Sequence, residues 1–319
     1  MLMIITLHSP NPNLRTNSYL LSSISFAMAP GLNLFFMISG ALLLSRTYKM
    51  KPFLLRRFSK IAWPTLFWSL FYLLEKWIQG FIDFKYMVLS ILAIPFGPQG
   101  DGVLWFMYAL MGLYIITPIL SSWLSTASKK EVEWILFLWS ISLIIPPLGC
   151  FLHVNKIDSD CLFFYFSGYI GYYILGYYLH HYVKTNNLGV ISCFIIIPLA
   201  LAAIVKLSGM NVDFYQYFWY LSIPVAMMAT FWFLIGKRTI LYQVSKPISN
   251  ISNYSFGIYL VHIFVMHRIV WKWSFVSQYG SVLQIIITTI LTFSISYLIV
   301  FIISKFPFSK YIIGVNPQS

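Results

Sequence analysis

The stretch NLFFMISGALLLSRTYKMKPFLLRRFSKIAWPTLFW, residues 33–68, joins two kinds of chemistry. It opens on an almost wholly apolar run. Arg46, Lys49, Lys51, Arg56, Arg57 and Lys60 then follow with no acid among them, and apolar sequence resumes at Ile61. A basic loop between apolar runs is the pattern of a chain that crosses a bilayer, turns at its anionic cytoplasmic face and crosses back. Composition extends that reading to the whole chain. Of 319 residues, 59% are hydrophobic and 9% charged, and mean hydropathy is +0.79. A soluble domain carries about 25% charged residues, and a water-soluble core of this size has no room for so much apolar surface. Lipid as the outer solvent removes the conflict. Aromatics reach 19%, with Trp and Tyr recurring at segment ends as interfacial anchors do.

Runs of the length that crosses a bilayer are read at Ile24–Leu44, Phe58–Leu74, Val103–Leu120, Trp134–Phe151, Cys161–Leu179, Leu188–Val205, Tyr217–Ile235, Tyr254–Trp271 and Ser281–Ile303. Met1–His8 is apolar but reaches only about 12 Å as a helix, and it reads as the last part of a further helix whose start is missing. It has no basic n-region and is too short for a signal peptide. Phe84–Phe96, short and ended by Pro-Gly turns, is expected to be an interfacial or re-entrant helix. The expected fold is therefore all-α: a polytopic transmembrane helical bundle of nine full spans plus a truncated first helix. Residues 1–319 read as a single membrane-embedded domain, without repeats or a soluble appendage. Pro30-Gly31, Pro64 and Pro224 predict kinks.

Charge orients the bundle. The loops 45–60, 121–133, 180–187, 236–253 and 304–319 hold 14 of the 21 Lys and Arg but only two of the eight acids, Glu131 and Glu133. The positive-inside rule places that set, and the C-terminus, in the cytoplasm. The net charge of +13 is thereby a topology signal rather than a nucleic-acid footprint. Three cysteines form no CxxC pair. Cys150 and Cys161 flank one outer loop, where either a disulfide or two unrelated thiols fit.

Ionisable groups inside a membrane mark function by default. No acid falls near the middle of a predicted span, which argues against a carboxylate-based proton-coupled carrier. His262 is the ionisable side chain near a helix centre; it is either a structural histidine bonded to a neighbouring Tyr or the backbone, or a direct participant. His267 falls off its face, His180 and His181 end a helix at the inner interface, and no histidine pair has metal-ligand spacing. Arg56 and Lys60 share a helical face with Arg57 beside them. Topology alone explains them, but Arg forks also match phosphate oxygens, so an anion site for a phosphorylated cytoplasmic ligand is the sharper alternative. His8 opens the polar stretch HSPNPN. It reads as a surface histidine or as a base able to take a hydroxyl proton near neutral pH.

Four blocks then resemble a known family in its own order. NLFFMISGALLL followed by FLLRRFSKIAWP is similar to the second and third helices of the acyltransferase-3 family of membrane acyltransferases. LWFMYALMGLYIITPIL resembles its LWFLYAL-type helix, FSGYIGYYILGYYL approximates its glycine-spaced packing helix, and ISNYSFGIYLVHIF resembles its late S-Y-S-x-Y-L-x-H segment. The resemblance implies ten helices and transfer of an acyl group, commonly acetyl, from cytoplasmic acyl-CoA. The acceptor it implies is a hydroxyl on an envelope polysaccharide or lipid-linked sugar, at the bacterial inner membrane. It makes His8 the match of the catalytic histidine, whose basic partner in the family pattern falls before Met1. It makes Arg57 and Lys60, with Arg56, the match of the RxxR-type motif; Lys at the last position keeps the charge but loses the bidentate fork. Ser39, Trp105, Tyr108, Tyr259 and His262 lie in matching blocks as pathway or substrate residues, or as packing. Tyr259 or backbone N–H groups are the candidate donors to an oxyanion. Acyl-CoA is the donor substrate, and no metal is expected. From another class, a transporter or flippase for a lipid-linked sugar also fits kinked helices and a lone membrane histidine. A structural subunit of a glycan-synthesis complex is a third reading.

Overall fold

The structure, a computed structural model, describes residues 1–10, 18–152, 161–184, 187–209, 219–239 and 246–315. Among these residues every regular element is helical. Backbone hydrogen bonds closed within each segment are what a bilayer demands of a spanning chain. The chain forms two compact units: Met1, residues 48–118 and 244–319 in the first, residues 2–47 and 119–243 in the second.

The first unit is built from α4 (Met50–Ile78), α5 (Phe84–Ala93), α6 (Trp105–Thr126) as far as Pro118, α11 (Lys246–Arg268), α12 (Ser281–Ile303) and the short α13 (Ser309–Ile312). At about 1.5 Å per residue α4 is roughly 43 Å long, so it carries the basic turn 56–60 and still reaches the acidic Glu75 near its far end. Pro64 sits inside α4 without ending it. The next residue, Thr65, back-bonds to Ile61 O at 2.8 Å. The predicted short helix appears as α5, capped by Asp83, whose side chain accepts from Tyr86 N at 2.6 Å. Leu73 of α4 packs there with Met87 and Ile94. Tyr72 O–H donates to Leu260 O at 2.9 Å, tying α4 to α11. At the end of the same two helices Glu75 and Arg268 form an ion pair.

The second unit contains α1 (Leu2–His8), α2 (Ser18–Met28), α3 (Pro30–Leu43), the end of α6, α7 (Lys129–Leu152), α8 (Ile170–His181), α9 (Leu188–Leu207) and α10 (Ile223–Thr239). At Pro30-Gly31, where a kink is predicted, α2 passes into α3 through Ala29, which keeps helical dihedrals, and Pro30, which has no N–H to leave unpaired, opens α3. Pro224 likewise lies in the first turn of α10. A capping box starts α7: Ser128 N donates to Glu131 Oε2 at 2.6 Å, and Glu131 N donates to Ser128 Oγ at 3.3 Å. These bonds hold the Glu131 carboxyl below the usual range. The tightest seam joins α3 to α8. A Cβ on Gly40 would lie 1.8 Å from Tyr173 O, and one on Gly176 would lie 1.9 Å from Met37 O, so only glycine permits this approach.

Five helical stretches among the described residues are long and apolar enough to cross a membrane: Ser23–Leu43, Gly102–Thr126, Leu188–Leu207, Ile251–Lys272 and Ser281–Ile303. The chain is an integral membrane protein by these helices, but a count of nine long apolar spans does not emerge. The segment predicted as Cys161–Leu179 shows why. Gly168, at φ 99°, is followed by a helix only from Ile170 to His181, about 18 Å long. Apolar composition marked the run, but backbone conformation set where the helix starts. Cys161 is a free thiol, and the Cys150 side chain lies outside the described residues.

Candidate functional site

The basic turn of α4 forms one side of a cavity of about 410 Å³ lined by Arg56, Arg57, Ser59, Lys60, Trp63, Lys310, Tyr311 and Gly314. Arg56, Arg57 and Lys60 are brought together there by the helical repeat alone. Ser59 and Trp63 lie on the same helix, and Lys310, Tyr311 and Gly314 arrive from the other end of the first unit's sequence, on α13 and the turn after it. Trp68 Nε1–H donates to Ile312 O at 2.9 Å and fixes α13 against α4. Gly314 adopts φ 67°, and a Cβ there would meet Phe256 at 2.8 Å and Lys60 O at 3.1 Å. The chain therefore turns back on the basic cluster at the residue type that accepts this conformation. Lys310 lies over the Tyr311 ring at 4.7 Å, and Tyr311 meets Trp63 edge-to-face at 6.0 Å.

Among the described residues, four cations and two aromatic rings line this cavity, and no carboxylate does. Such a wall raises the local concentration of anions. Arg supplies planar forks and Lys point charges for phosphate oxygens, while Trp63 and Tyr311, both about half exposed, offer ring faces. Lys310, Trp63 and Tyr311 were missed in the sequence reading. Trp63 sits inside a quoted motif, but no spacing rule connects it to residues some 250 positions away.

A second group stands where α6 meets α11. The Tyr259 hydroxyl donates to Val103 O, and its ring packs on Phe106 at 5.2 Å. Tyr259 and His262 have ring centres 5.5 Å apart. The Tyr259 O–H is committed to a backbone carbonyl, which corrects its reading as an oxyanion donor. His262, fully buried, sets Nδ1 2.5 Å from Tyr259 O. A carbonyl only accepts, so this contact assigns the proton to Nδ1. Tyr108 donates to Ile94 O at 2.6 Å, which makes it a packing and tethering residue in this geometry; Trp105 is partly buried beside Phe106.

His8 and Ser39 belong to the second unit. His8 ends α1, partly buried, where α1 packs on α3. Ser39, also partly buried, adjoins the Gly40 contact. This unit holds a larger cavity of about 600 Å³ among α3, α8 and α10, with Leu34, Ile38, Leu42 and Trp232 on its walls. Its walls are mostly apolar, with His180, Lys184, Lys237 and Arg238 at one end; Lys237 Nζ donates to the carbonyls of Leu179, His180 and Val183 at 2.9, 2.8 and 2.8 Å, closing the end of α8. Burial, and then nearby Lys184, push its ammonium pKa down. The smaller cavity is the one whose groups are disposed toward a polar ligand. No cluster of metal-ligating side chains occurs among the described residues.

No curated protein and no solved structure matches the chain. The family model described as an acyltransferase domain matches residues 1–301, which include the basic turn, His8, His262 and every helix from α1 to α11. The match spans nearly the whole chain, and the protein belongs to the acyltransferase-3 family of membrane acyltransferases.

Proposed function

We propose that the protein is an O-acyltransferase that moves an acyl group, acetyl in the simplest case, from cytoplasmic acyl-CoA to a hydroxyl of an envelope polysaccharide or lipid-linked sugar. The single observation carrying the donor assignment is the cavity at Arg56, Arg57 and Lys60, completed by Lys310, Trp63 and Tyr311. Coenzyme A presents phosphates and an adenine, and this lining offers cations and ring faces in one place. The positive-inside count supports a cytoplasmic position for this end of the first unit, and the reading takes the membrane to be a bacterial inner membrane, as the family resemblance implies.

In the proposed reaction His8 takes the acceptor hydroxyl proton as general base. The hydroxyl oxygen attacks the thioester carbonyl carbon, a C–O bond forms, and the C–S bond breaks. The departing thiolate takes up the proton, leaving an ester and CoA thiol. Donors to the transient oxyanion fall to backbone N–H groups, since the Tyr259 O–H is engaged.

The test is transfer of radiolabelled acetyl-CoA to the host's envelope glycan in membranes. His8→Ala is expected to lower kcat by about 10²–10⁴-fold with the KM for acetyl-CoA unchanged. Arg57→Ala with Lys60→Ala is expected to raise that KM at least tenfold, with a smaller effect on kcat. Unchanged transfer in His8→Ala removes the assigned base. An unchanged KM in the double variant removes the donor site. Absence of transfer by the unaltered protein favours a transport role.

A further inference from the structure

The seam between α11 and α12 holds hydroxyl groups that the protein leaves without partners. Gln284, Thr288, Thr292 and Ser296 recur every fourth residue of α12 and so share one face. All four are buried, the last three at 1%, 0% and 0% exposure. Ile286, Ile290 and Leu298, off that face, are about half exposed. The hydroxyl oxygens of Thr288, Thr292 and Ser296 make no hydrogen bond within the protein.

Helical threonines elsewhere avoid this state. Thr65, Thr117 and Thr230 turn back to the carbonyl four residues earlier, at 2.8, 2.7 and 2.9 Å. The three hydroxyls on α12 have the same recourse and do not use it. Nor does the facing helix serve them. Tyr254 OH lies 3.3 Å from Ser304 Oγ, and Gly257 packs on Val300, which fixes an antiparallel register. Continued outward, that register sets Ser296 against Val261, level with His262, and Thr292 against Val265. Both valines are buried and offer no acceptor. An unpartnered buried hydroxyl loses its hydration with no bond in return, and a chain of ordered waters with several polar partners relieves that loss.

We propose that the α11–α12 seam binds a file of water molecules, hydrogen-bonded to Thr288, Thr292 and Ser296 and leading from the Ser281 end of α12 to the level of His262. The ligand class is water, and the effect is to bring a proton-exchanging medium to a histidine buried among apolar helices. The file depends on α12, on α11 and on the turn that follows α11, and its test needs no acyl donor, so it stands or falls separately from the acyl-transfer reading.

Two measurements on the full chain in detergent decide it. Valine keeps the shape of threonine and removes its hydroxyl. If waters occupy the seam, Thr288→Val and Thr292→Val each lower the thermal midpoint, by about 2–4 °C. In a dry seam the valines leave it unchanged or raise it, and that result overturns the proposal. The second arm places single cysteines in a chain whose Cys150, Cys161 and Cys193 are changed to Ser, and exposes them to silver ions. Thr292→Cys is expected to react readily and lipid-facing Ile290→Cys to stay inert. An unreactive Thr292→Cys in folded protein overturns the proposal whatever the midpoints show, and this arm decides alone where a valine variant fails to fold.

Discussion

Two helix seams, each with glycine at the contact, are built on opposite terms. Where α3 meets α8, Gly40 and Gly176 let backbone touch backbone, each glycine lying against a carbonyl of the other helix. Where α11 meets α12, a Cβ on Gly257 would meet a side chain instead, Val300 at 2.9 Å, and a row of buried hydroxyls runs on beyond it. Lipid tails are as apolar as leucine, so helices in a bilayer gain by close packing or by polar contact rather than by hydrophobic burial. The second unit uses the first route at α3–α8, whereas at α11–α12 the first unit buries hydroxyls that the facing helix leaves without a partner.

Substitutions at the glycines break this comparison in graded steps. The largest effect belongs to Gly176→Ala or Gly40→Ala. The new methyl meets a carbonyl oxygen that cannot rotate away, so a loss of about 3 kcal/mol or more is expected in denaturant titrations of purified protein. A loss under about 1 kcal/mol would show that the α3–α8 seam yields as readily as a side chain. Gly314→Ala comes next, at about 1–2 kcal/mol, because φ 67° strains any L side chain and Phe256 lies in the way. Its sharper signature under the proposed function is a raised KM for acetyl-CoA, since the residue turns α13 onto the basic cavity. An unchanged KM would separate that turn from donor binding. The smallest effect is expected for Gly257→Ala. Alanine gains about 0.5–1 kcal/mol as a helix former, and a rotamer change at Val300 offsets it, so stability should stay within about 1 kcal/mol of the unaltered protein.

The basic turn was legible because its residues are covalent neighbours. Arg56, Arg57 and Lys60 share a helix, and helical geometry brings i and i+4 to one side without tertiary help. The family blocks were legible for the same reason, each being a local pattern. His262 was legible as a buried ionisable group, but whether its backbone bond would form was not. That bond, Nδ1 to Tyr259 O, depends on a side-chain torsion. The reading of Tyr259 as a donor failed because its partner, Val103 O, lies 156 residues away on the approach to α6.

Composition and charge pattern by themselves determined a helical membrane protein, because a bilayer obliges each crossing segment to satisfy its own backbone and to be apolar along its length. Local spacing determined the cluster Arg56, Arg57 and Lys60. Only the tertiary structure decided that Lys310 and Tyr311 complete that cluster, through the bond from Trp68 Nε1 to Ile312 O. It alone decided that the short α8 meets α3 through glycine, and that the hydroxyls of Thr288, Thr292 and Ser296 face one seam without a protein partner. The physical reason is the same in each case. Periodicity states which face of a helix is distinctive, whereas the partner of that face depends on contacts between residues far apart in the chain.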